Sequence, residues 1–498
     1  MQRTFSDSEG PGRVEIRRAS AEDARGAADV LIAARRAAVP AIPAPVHTAA
    51  EMRSWFIEHV MVSQQVWVAG TRSDIHAVMV LTEGWIEHLY VSPDRTSRGI
   101  GSKLLDHAKA MSAGELSLWT FASNHRAQQF YERHGFVAVA RTQGDNEEGA
   151  PDIRYQWRRT DQLVGALTAA VDDRDFSGVI LIQEGDRVVL ELARGWADRA
   201  ERRPISITTP MATASGTKGF TALTVVSMIE DDAFGLDTRL RDLVDDPRLS
   251  VDDGVTIRHL LGHTSGVGDY LDETQLDSSD DYVLDVPVHT LQGPRDYMAL
   301  LGQHAQVEPP GSRFRYNNSG FVLLAMAIEC AAGAPYHDEV RRRVFEPAGM
   351  TSTDFLRSDR LPAGVALGYL SDGRTNVHHL PVIGTGDGGA YTTAPDMVRF
   401  WDALFDGSIV SPSSVDLMAT PNERAATDGA DSADSADVYG LGFWVASNHT
   451  TVLLEGEDAG VSFRSGAERS GGLRFCLMAN NADDVWPLAR IVDAHLQP

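Results

Sequence analysis

Ser215 and Lys218 stand three residues apart in Met211-Ala-Thr-Ala-Ser215-Gly-Thr-Lys218-Gly-Phe. On a helix that spacing brings an ammonium against a hydroxyl. Lys218 is the only lysine between Asp161 and Pro498, in a chain that takes nearly all its positive charge from arginine. A buried lysine can be pushed toward neutrality and then accept a proton, whereas arginine keeps its proton at any useful pH. If Ser215 opens a helix, its alkoxide is favoured at the positive helix end and its own N–H is free to serve an oxyanion. The same pair also arises by chance in a chain poor in lysine, so it needs partners. Phe314-Arg-Tyr316-Asn317-Asn318-Ser-Gly-Phe supplies them, again leading into an apolar helix. A phenol lowered by a neighbouring ammonium can act as base for the serine, and the Asn318 amide can orient a substrate.

A second constellation lies near the N-terminus. Strand Ile86-Glu87-His88-Leu-Tyr-Val91 runs into Ser92-Pro-Asp-Arg95-Thr96-Ser97-Arg98-Gly99-Ile100-Gly101-Ser102 and then a helix. Glycines at a strand-to-helix turn let the backbone approach a phosphate, and the first helical N–H groups favour its charge. Arg98-Gly-Ile-Gly101 alone fits a tight structural turn equally well. The nucleoside-triphosphate loop and the dinucleotide fingerprint are both missing. Arg95, Arg98, Lys103 and Lys109 cluster here, although the chain as a whole is acidic. Glu87 and His88 are candidate bases, but strand alternation puts only one of them on an active face.

The elements that must carry these groups follow from periodicity. Ala21 to Ala38 reads as a helix, Gln65 to Ala69 and Ile75 to Thr82 as a strand pair, and Ile86 to Val91 as a further strand. The helix Ser102 to Met111, the strand Leu116 to Phe121 and the helix Asn124 to His134 come next. Phe136 to Arg141 and Ile153 to Arg158 close an α+β domain. A fresh start follows Arg158-Arg159-Thr160, with a helix from Asp161 to Val171 and a hairpin from Gly178 to Ala193 turning at Glu184-Gly-Asp186. Phe321 to Ala332 reads as a buried helix, and Ala425 to Asp437 as an acidic, solvated loop.

A chain of 498 residues with 43% hydrophobic content makes at least two domains. Its formal net charge of -25 excludes nucleic acid and anionic membrane surfaces as main partners and fits small-molecule substrates. Two cysteines, Cys330 and Cys476, give neither a disulfide framework nor a thiolate metal cluster. The N-terminus lacks the apolar core of a secretion signal and no stretch reads as a membrane span, so a cytoplasmic protein is expected. The oligomeric state is left open.

Two resemblances emerge from the quoted motifs. The Arg98-Gly-Ile-Gly101 segment, followed by Leu116-Ser-Leu-Trp-Thr-Phe-Ala-Ser-Asn124-His-Arg-Ala-Gln-Gln-Phe130-Tyr131-Glu-Arg-His-Gly135-Phe136, resembles the GNAT acetyltransferases over residues 12 to 158. That resemblance implies a mixed sheet with flanking helices and acetyl-CoA as co-substrate. By it, the backbone of Leu89, Tyr90 and Val91 would hold the pantetheine arm, and Thr96, Ser97, Arg98, Gly99, Ile100, Gly101 and Ser102 the phosphates. Asn124 would assist the cofactor and Tyr131 would protonate the departing thiolate, with Glu87, of the two candidate bases, counted among the catalytic residues. Thr96 departs from the Gln or Arg usual there.

The Ser215-Lys218 and Tyr316-Asn318 pairing resembles the serine β-lactamase and penicillin-binding superfamily, most closely class C β-lactamases, DD-peptidases and related esterases. His259-Leu-Leu-Gly-His263-Thr-Ser-Gly266, Val344 to Met350, Gly386 to Asp396 and Tyr439-Gly-Leu-Gly-Phe also match, and the resemblance spans residues 161 to 498. It implies an α+β fold with an antiparallel sheet, helices and an all-helical subdomain, Ser215, Lys218, Tyr316 and Asn318 as catalytic residues, and no metal. His263 is then a turn or hydrogen-bonding residue rather than a triad member. The family's third motif, Lys/His-x-Gly, registers on Leu454-Glu455-Gly456, so the cation that meets a substrate carboxylate is missing and acids surround the gap. A neutral or cationic substrate is expected. The oxyanion hole needs only backbone N–H groups, of Ser215 and of a residue near Gly456 and Glu457. The competing reading is a binding or regulatory module that lost catalysis together with that motif, leaving only the acetyltransferase active.

Overall fold

The computed structural model describes residues 14–71, 74–112, 114–273, 276, 278–281, 283–422 and 437–496. The acidic stretch from Ala425 lies outside the described residues up to Asp437, as does the start of the N-terminus. The chain divides into two compact units, Met1–Gly165 and Ala166–Pro498.

In the first unit, strands β1 (Glu15–Arg18), β2 (Gln65–Gly70), β3 (Ile75–Thr82), β4 (Trp85–Val91), β5 (Glu115–Phe121), β6 (Val137–Arg141) and β7 (Asp152–Arg158) form one sheet in the order β1-β2-β3-β4-β5-β7-β6. Strand alternation sends β3 side chains to two cores. Val78 and Val80 meet Ala28, Leu31 and Phe56 from α1 (Ala24–Ala38), α2 (Ala49–Trp55) and the turn that continues it, closed by the short helix α3 (Met61–Ser63). Met79 and Leu81 face the core that holds Leu104, Leu105 and Tyr131 from α4 (Ile100–Met111) and α5 (His125–Arg133). All pairings are antiparallel except β4 with β5, which run parallel and are registered only at Trp85↔Ser117. Beyond Trp85 these two strands diverge, opening a cleft in the middle of the sheet. β1 and α2 have no counterpart in the periodicity, although α2 begins with a capping box, Thr48 accepting from the Glu51 N–H and Glu51 reaching back.

The helix α6 (Arg159–Asp172) spans the division between the units, with Leu163, Leu167 and Val171 buried at four-residue spacing. The second unit holds strands β8 (Gly178–Glu184), β9 (Arg187–Arg194), β10 (Trp196–Asp198), β11 (Arg203–Pro204), β12 (Met211–Ala212), β13 (Asp354–Phe355), β14 (Ala390–Thr392), β15 (Val438–Tyr439), β16 (Trp444–Val445), β17 (Thr451–Asp458), β18 (Val461–Glu468) and β19 (Leu473–Ala479). Its main sheet is antiparallel, in the order β15-β16-β17-β18-β19-β8-β9. Against it packs a helical layer that begins with α7 (Thr217–Glu230) and continues through the short helices α8 (Leu240–Leu243), α9 (Ile257–Leu261) and α10 (Met298–Leu301) to α11 (Asn318–Ala332). Phe321 through Ile328 in α11 are all buried, which marks a core helix rather than an amphipathic one. Among the described residues no single helix is long and apolar enough to cross a membrane.

Candidate active sites

Ser215 lies in a tight turn, Ala214–Gly216, that feeds directly into α7. Ala214 takes φ +45°, a left-handed strain that turns the chain sharply at the nucleophile. Lys218, one turn on, is 2% exposed, and its Nζ reaches Ser215 Oγ at 2.8 Å, Asn318 Oδ1 at 2.7 Å and the Asp387 carbonyl at 2.7 Å. A neutral amine satisfies this triangle as well as an ammonium does. It donates to the two carbonyl-type oxygens, which cannot donate in return, and accepts from the serine hydroxyl. Burial pushes the Lys218 pKa down, while Asp387, Glu273, Asp458 and Asp269 push it up, and burial prevails. Lys218 is therefore shifted toward the proton acceptor that the Ser215 hydroxyl needs.

Asn318 begins α11, where Asn317 caps the helix by accepting from the Gly320 N–H at 2.6 Å. Tyr316, the residue before that cap, puts its ring 4.9 Å from Lys218 Nζ and hydrogen-bonds to Ser215. The expectation of a lowered phenol is overturned: burial, with Glu273, Asp387 and Asp269 nearby, raises its pKa well above the ordinary value, outweighing the Ser215 hydrogen bond. Tyr316 thus rests protonated and can pass a proton on, while Lys218 takes the first one. His263 is 1% exposed; its Nδ1 accepts from the Asn317 N–H at 3.1 Å and its ring packs 4.4 Å from that of Tyr316.

Strand β17 supplies the opposite wall. β16 pairs only with Val452 and Leu453, so the edge of β17 from Leu454 onward is left to the nucleophile turn. Gly456 lies flat against that turn: a Cβ there would stand 2.2 Å from Thr213 O and 2.7 Å from Ser215 N. This close approach sets the Ser215 N–H beside the strand that carries Glu457. Leu454, at the position where the resemblance implies a cation, is 2% exposed and packs against Gly219. Glu455 lies on the other face, paired with Arg464 at 2.6 Å, and the Glu457 side chain is exposed, so neither takes the missing cation's place. Acids surround the nucleophile instead, since Glu273, Asp387 and Asp458 line the same pocket as Ser215. None of these three belonged to the expected site.

In the first unit the diverging strands form a cleft of about 730 Å³ lined by Glu87 through Val91, Thr96, Ser97, Gly99 through Ser102, Asn124 and Tyr131. Gly99 caps α4 with φ +78°, and nothing lies within 4 Å of where a Cβ would sit, which leaves the α4 N-terminus open to an anion. An acetyl-CoA pyrophosphate fits that turn, and the edge of β4 freed by the divergence suits a pantetheine amide. Arg98 does not line the cleft, whereas Arg95, Arg126 and Arg133 do, and Arg126 donates to Ser97 Oγ at 3.1 Å. Lys109 is turned away, donating to the His134 carbonyl at 2.6 Å at the end of α5, so the basic cluster read from the sequence is only partly a phosphate site. Ser102 hydrogen-bonds His134 Nε2 at 3.0 Å, and Asn124 Oδ1 caps α5 at the Ala127 N–H, 3.2 Å away. Tyr131 is 9% exposed, and burial with Tyr90 close by raises its phenol pKa strongly, keeping it a proton donor. Both Glu87 and His88 border the cleft. Glu87 accepts from Thr82 Oγ1 at 2.8 Å, while burial, reinforced by Arg35, lowers the His88 pKa to about 4, too low for an effective base near neutrality.

The Beta-lactamase family model matches residues 161–485 and the Acetyltransferase (GNAT) domain model residues 62–138. The chain belongs to the beta-lactamase family and carries a GNAT domain ahead of it. A solved penicillin binding protein from Bacillus halodurans is 35% identical with a TM-score of 0.61, and the match covers 66% of this chain and 99% of that one. A penicillin-binding protein of Bacillus subtilis (strain 168) is 29% identical over 56% of this chain and 61% of its own length. A D-aminopeptidase of Brucella anthropi is 28% identical over 46% of this chain and 42% of its own. The chain thus spans less than two thirds of the curated relatives it matches.

Proposed function

We propose that the chain is a bifunctional enzyme, an acetyl-CoA-dependent N-acetyltransferase joined to a serine hydrolase that works through an acyl-Ser215 intermediate on a small metabolite. The observation that carries the hydrolase half is the Lys218 triangle: a buried amine held at hydrogen-bond distance from Ser215 Oγ, with a protonated Tyr316 on the same hydroxyl. Ser215 Oγ attacks the scissile carbonyl as its proton passes to Lys218 Nζ, and the carbonyl oxygen gains charge beside the Ser215 N–H and the β17 edge. Tyr316 gives its proton to the leaving amine or alkoxide and is reprotonated from Lys218. Water, or another nucleophile, then attacks the acyl-serine with the proton path reversed. With Leu454 in place of a cation, the substrate is neutral or cationic, and carboxylate-bearing β-lactams and peptidoglycan ends are disfavoured. The name of the Brucella relative supports cleavage of an amide.

In the acetyltransferase half, acetyl-CoA supplies an activated acetyl thioester. Gly99, Gly101 and the α4 N-terminus, with Arg126, are placed to hold its phosphates, and Leu89 to Val91 its pantetheine arm. Glu87, working through water, takes the ammonium proton of the acceptor, and Tyr131 donates to the departing sulfur. A cytoplasmic setting, where acetyl-CoA is available, fits this half. Incubation with a fluorophosphonate tests the hydrolase, with a mass adduct expected on Ser215 and none in Ser215→Ala. Release of free thiol from acetyl-CoA in the presence of a panel of amines tests the transferase, and no release with any amine would remove that half.

A further inference from the structure

The pocket beside Ser215 carries more negative charge than acyl transfer requires. Asp387 is 7% exposed, and its carboxylate accepts from the Tyr270 hydroxyl. Glu273 Oε1 accepts from Asn318 Nδ2 at 3.0 Å. Asp458 closes the third side, its Oδ2 lying 3.7 Å from where a Cβ on Gly388 would sit, next to Ala214. Asp458 is half-buried, the protein around its carboxyl makes it harder to ionise, and no described residue is seen to donate a hydrogen bond to it. Asp269 lies behind them, with both oxygens used at the start of α11 by the Asn318 and Ser319 N–H groups. Among the described residues the cation acting on Asp387 and Asp458 is Lys218, whose Nζ is committed to Ser215, Asn318 and the Asp387 carbonyl.

Asp387 is buried, Asp458 half-buried and Glu273 exposed; grouped in this way, the carboxyls make Asp387 and Asp458 harder to ionise, and a cation placed among them would lower that cost. A structural arginine would do this from the protein side, as Arg464 does for Glu455, Asp437 and Asp493 elsewhere in the same unit. No such arginine enters this pocket among the described residues. The same pocket is also lined by the apolar side chains of Leu284, Leu356, Leu380 and Pro381.

We propose that Asp458, Asp387 and Glu273 receive the protonated amine of the substrate, so that the hydrolase acts on amides or esters of amino acids whose α-amino group is free. The inference rests on the reading of Ser215 as an acylating nucleophile and gives that site its substrate class. With the scissile carbonyl between Ser215 and the β17 edge, an ammonium one carbon away faces Asp458, and an apolar side chain faces Leu284 and Leu380. Asp458 lies on β17 four residues beyond Leu454, the position at which the third motif would carry a cation, so the site selects the opposite charge from one that binds a carboxylate. The covalent chemistry is unchanged: the bond to the leaving group breaks as the Ser215 ester forms, and water restores the serine.

The test compares, on the full chain, phenylalanine p-nitroanilide in both enantiomers with the des-amino analogue 3-phenylpropionic p-nitroanilide, which removes the charge without adding bulk. The free amine is expected to raise kcat/KM by roughly ten-fold or more for the accepted enantiomer, and Asp458→Asn to reduce that ratio to within about three-fold of unity. If Asp458→Asn does not fold, Glu273→Gln, on a separate segment, reads the same ratio. A fluorophosphonate adduct on Ser215 with no preference for the free amine overturns the ammonium subsite and leaves the nucleophile standing. Absence of the adduct overturns both.

Discussion

Replacing Lys218 by arginine keeps the charge and removes the chemistry. The Lys218 amine sits in a triangle of three oxygens at 2.7 to 2.8 Å and the residue is 2% exposed, so the larger planar guanidinium cannot present single donors to all three. Overpacking of this kind costs about 1–3 kcal/mol of stability. The catalytic effect is larger, because arginine cannot take the Ser215 proton, and general-base catalysis contributes roughly 10²–10⁴-fold. Acylation of Ser215 by p-nitrophenyl acetate should therefore slow by about 10³-fold, close to 4 kcal/mol of barrier. Lys218→Met provides the contrast: it removes the amine without a guanidinium's bulk, so acylation should be equally lost, and the Asn318 and Asp387 oxygens left without their donor should lower the melting temperature. Stopped-flow release of p-nitrophenol with intact mass of the acyl-enzyme measures the rate, and differential scanning fluorimetry measures the fold. A folded Lys218→Arg variant that acylates at the parent rate would refute the assignment of Lys218 as proton acceptor.

Other perturbations separate the remaining parts. Gly456→Ala should cut acylation by about 10²-fold or more, because its Cβ would meet Thr213 O at 2.2 Å and push the nucleophile turn off the oxyanion geometry; a variant with unchanged acylation would dissociate the strand edge from the hole. Tyr131→Phe should lower the kcat of acetyl transfer by about 10²-fold with little change in the KM for acetyl-CoA, whereas Arg126→Ala should weaken acetyl-CoA binding by roughly ten-fold, both read by thiol release. The pKa of Asp458 is raised from 3.8 to about 8 in the folded chain, so folding stability from this group is complete below pH 3.8 and is lost as pH rises toward 8. Asp458→Asn should flatten that decline in denaturant titrations between pH 5 and about 8, and an unaltered slope would mean the carboxyl is already compensated.

Local spacing made the central site legible. Ser215 and Lys218 share one helical turn, Tyr316 and Asn318 flank a helix cap, and each group needs only its own element to be placed. The Leu454-Glu455-Gly456 register was readable too, because Gly456 is forced by close approach and the loss of a cation at Leu454 is a matter of residue type. The acids were not legible. Glu273, Asp387 and Asp458 come from three separate segments, and only tertiary packing assembles them in one pocket. The direction of the Tyr316 shift failed for the same reason, since desolvation and carboxyls from other segments outweigh the lowering hydrogen bond with Ser215. In the first unit the strands and helices other than β1 and α2 followed their periodicity, yet Lys109 lies within the basic run and turns away to the end of α5. Arg126 and Arg133, seven residues apart on α5, reach the cleft from outside that run. Their spacing on one helix face was the available signal.

Acylation of Ser215 tests the account most directly. Intact-mass measurement of the full chain after exposure to a fluorophosphonate should give one adduct per chain, mapped to the peptide containing Ser215, absent in Ser215→Ala and slowed by orders of magnitude in Lys218→Arg. A folded parent chain that takes up no adduct, or one whose adduct persists in Ser215→Ala, would contradict the hydrolase reading.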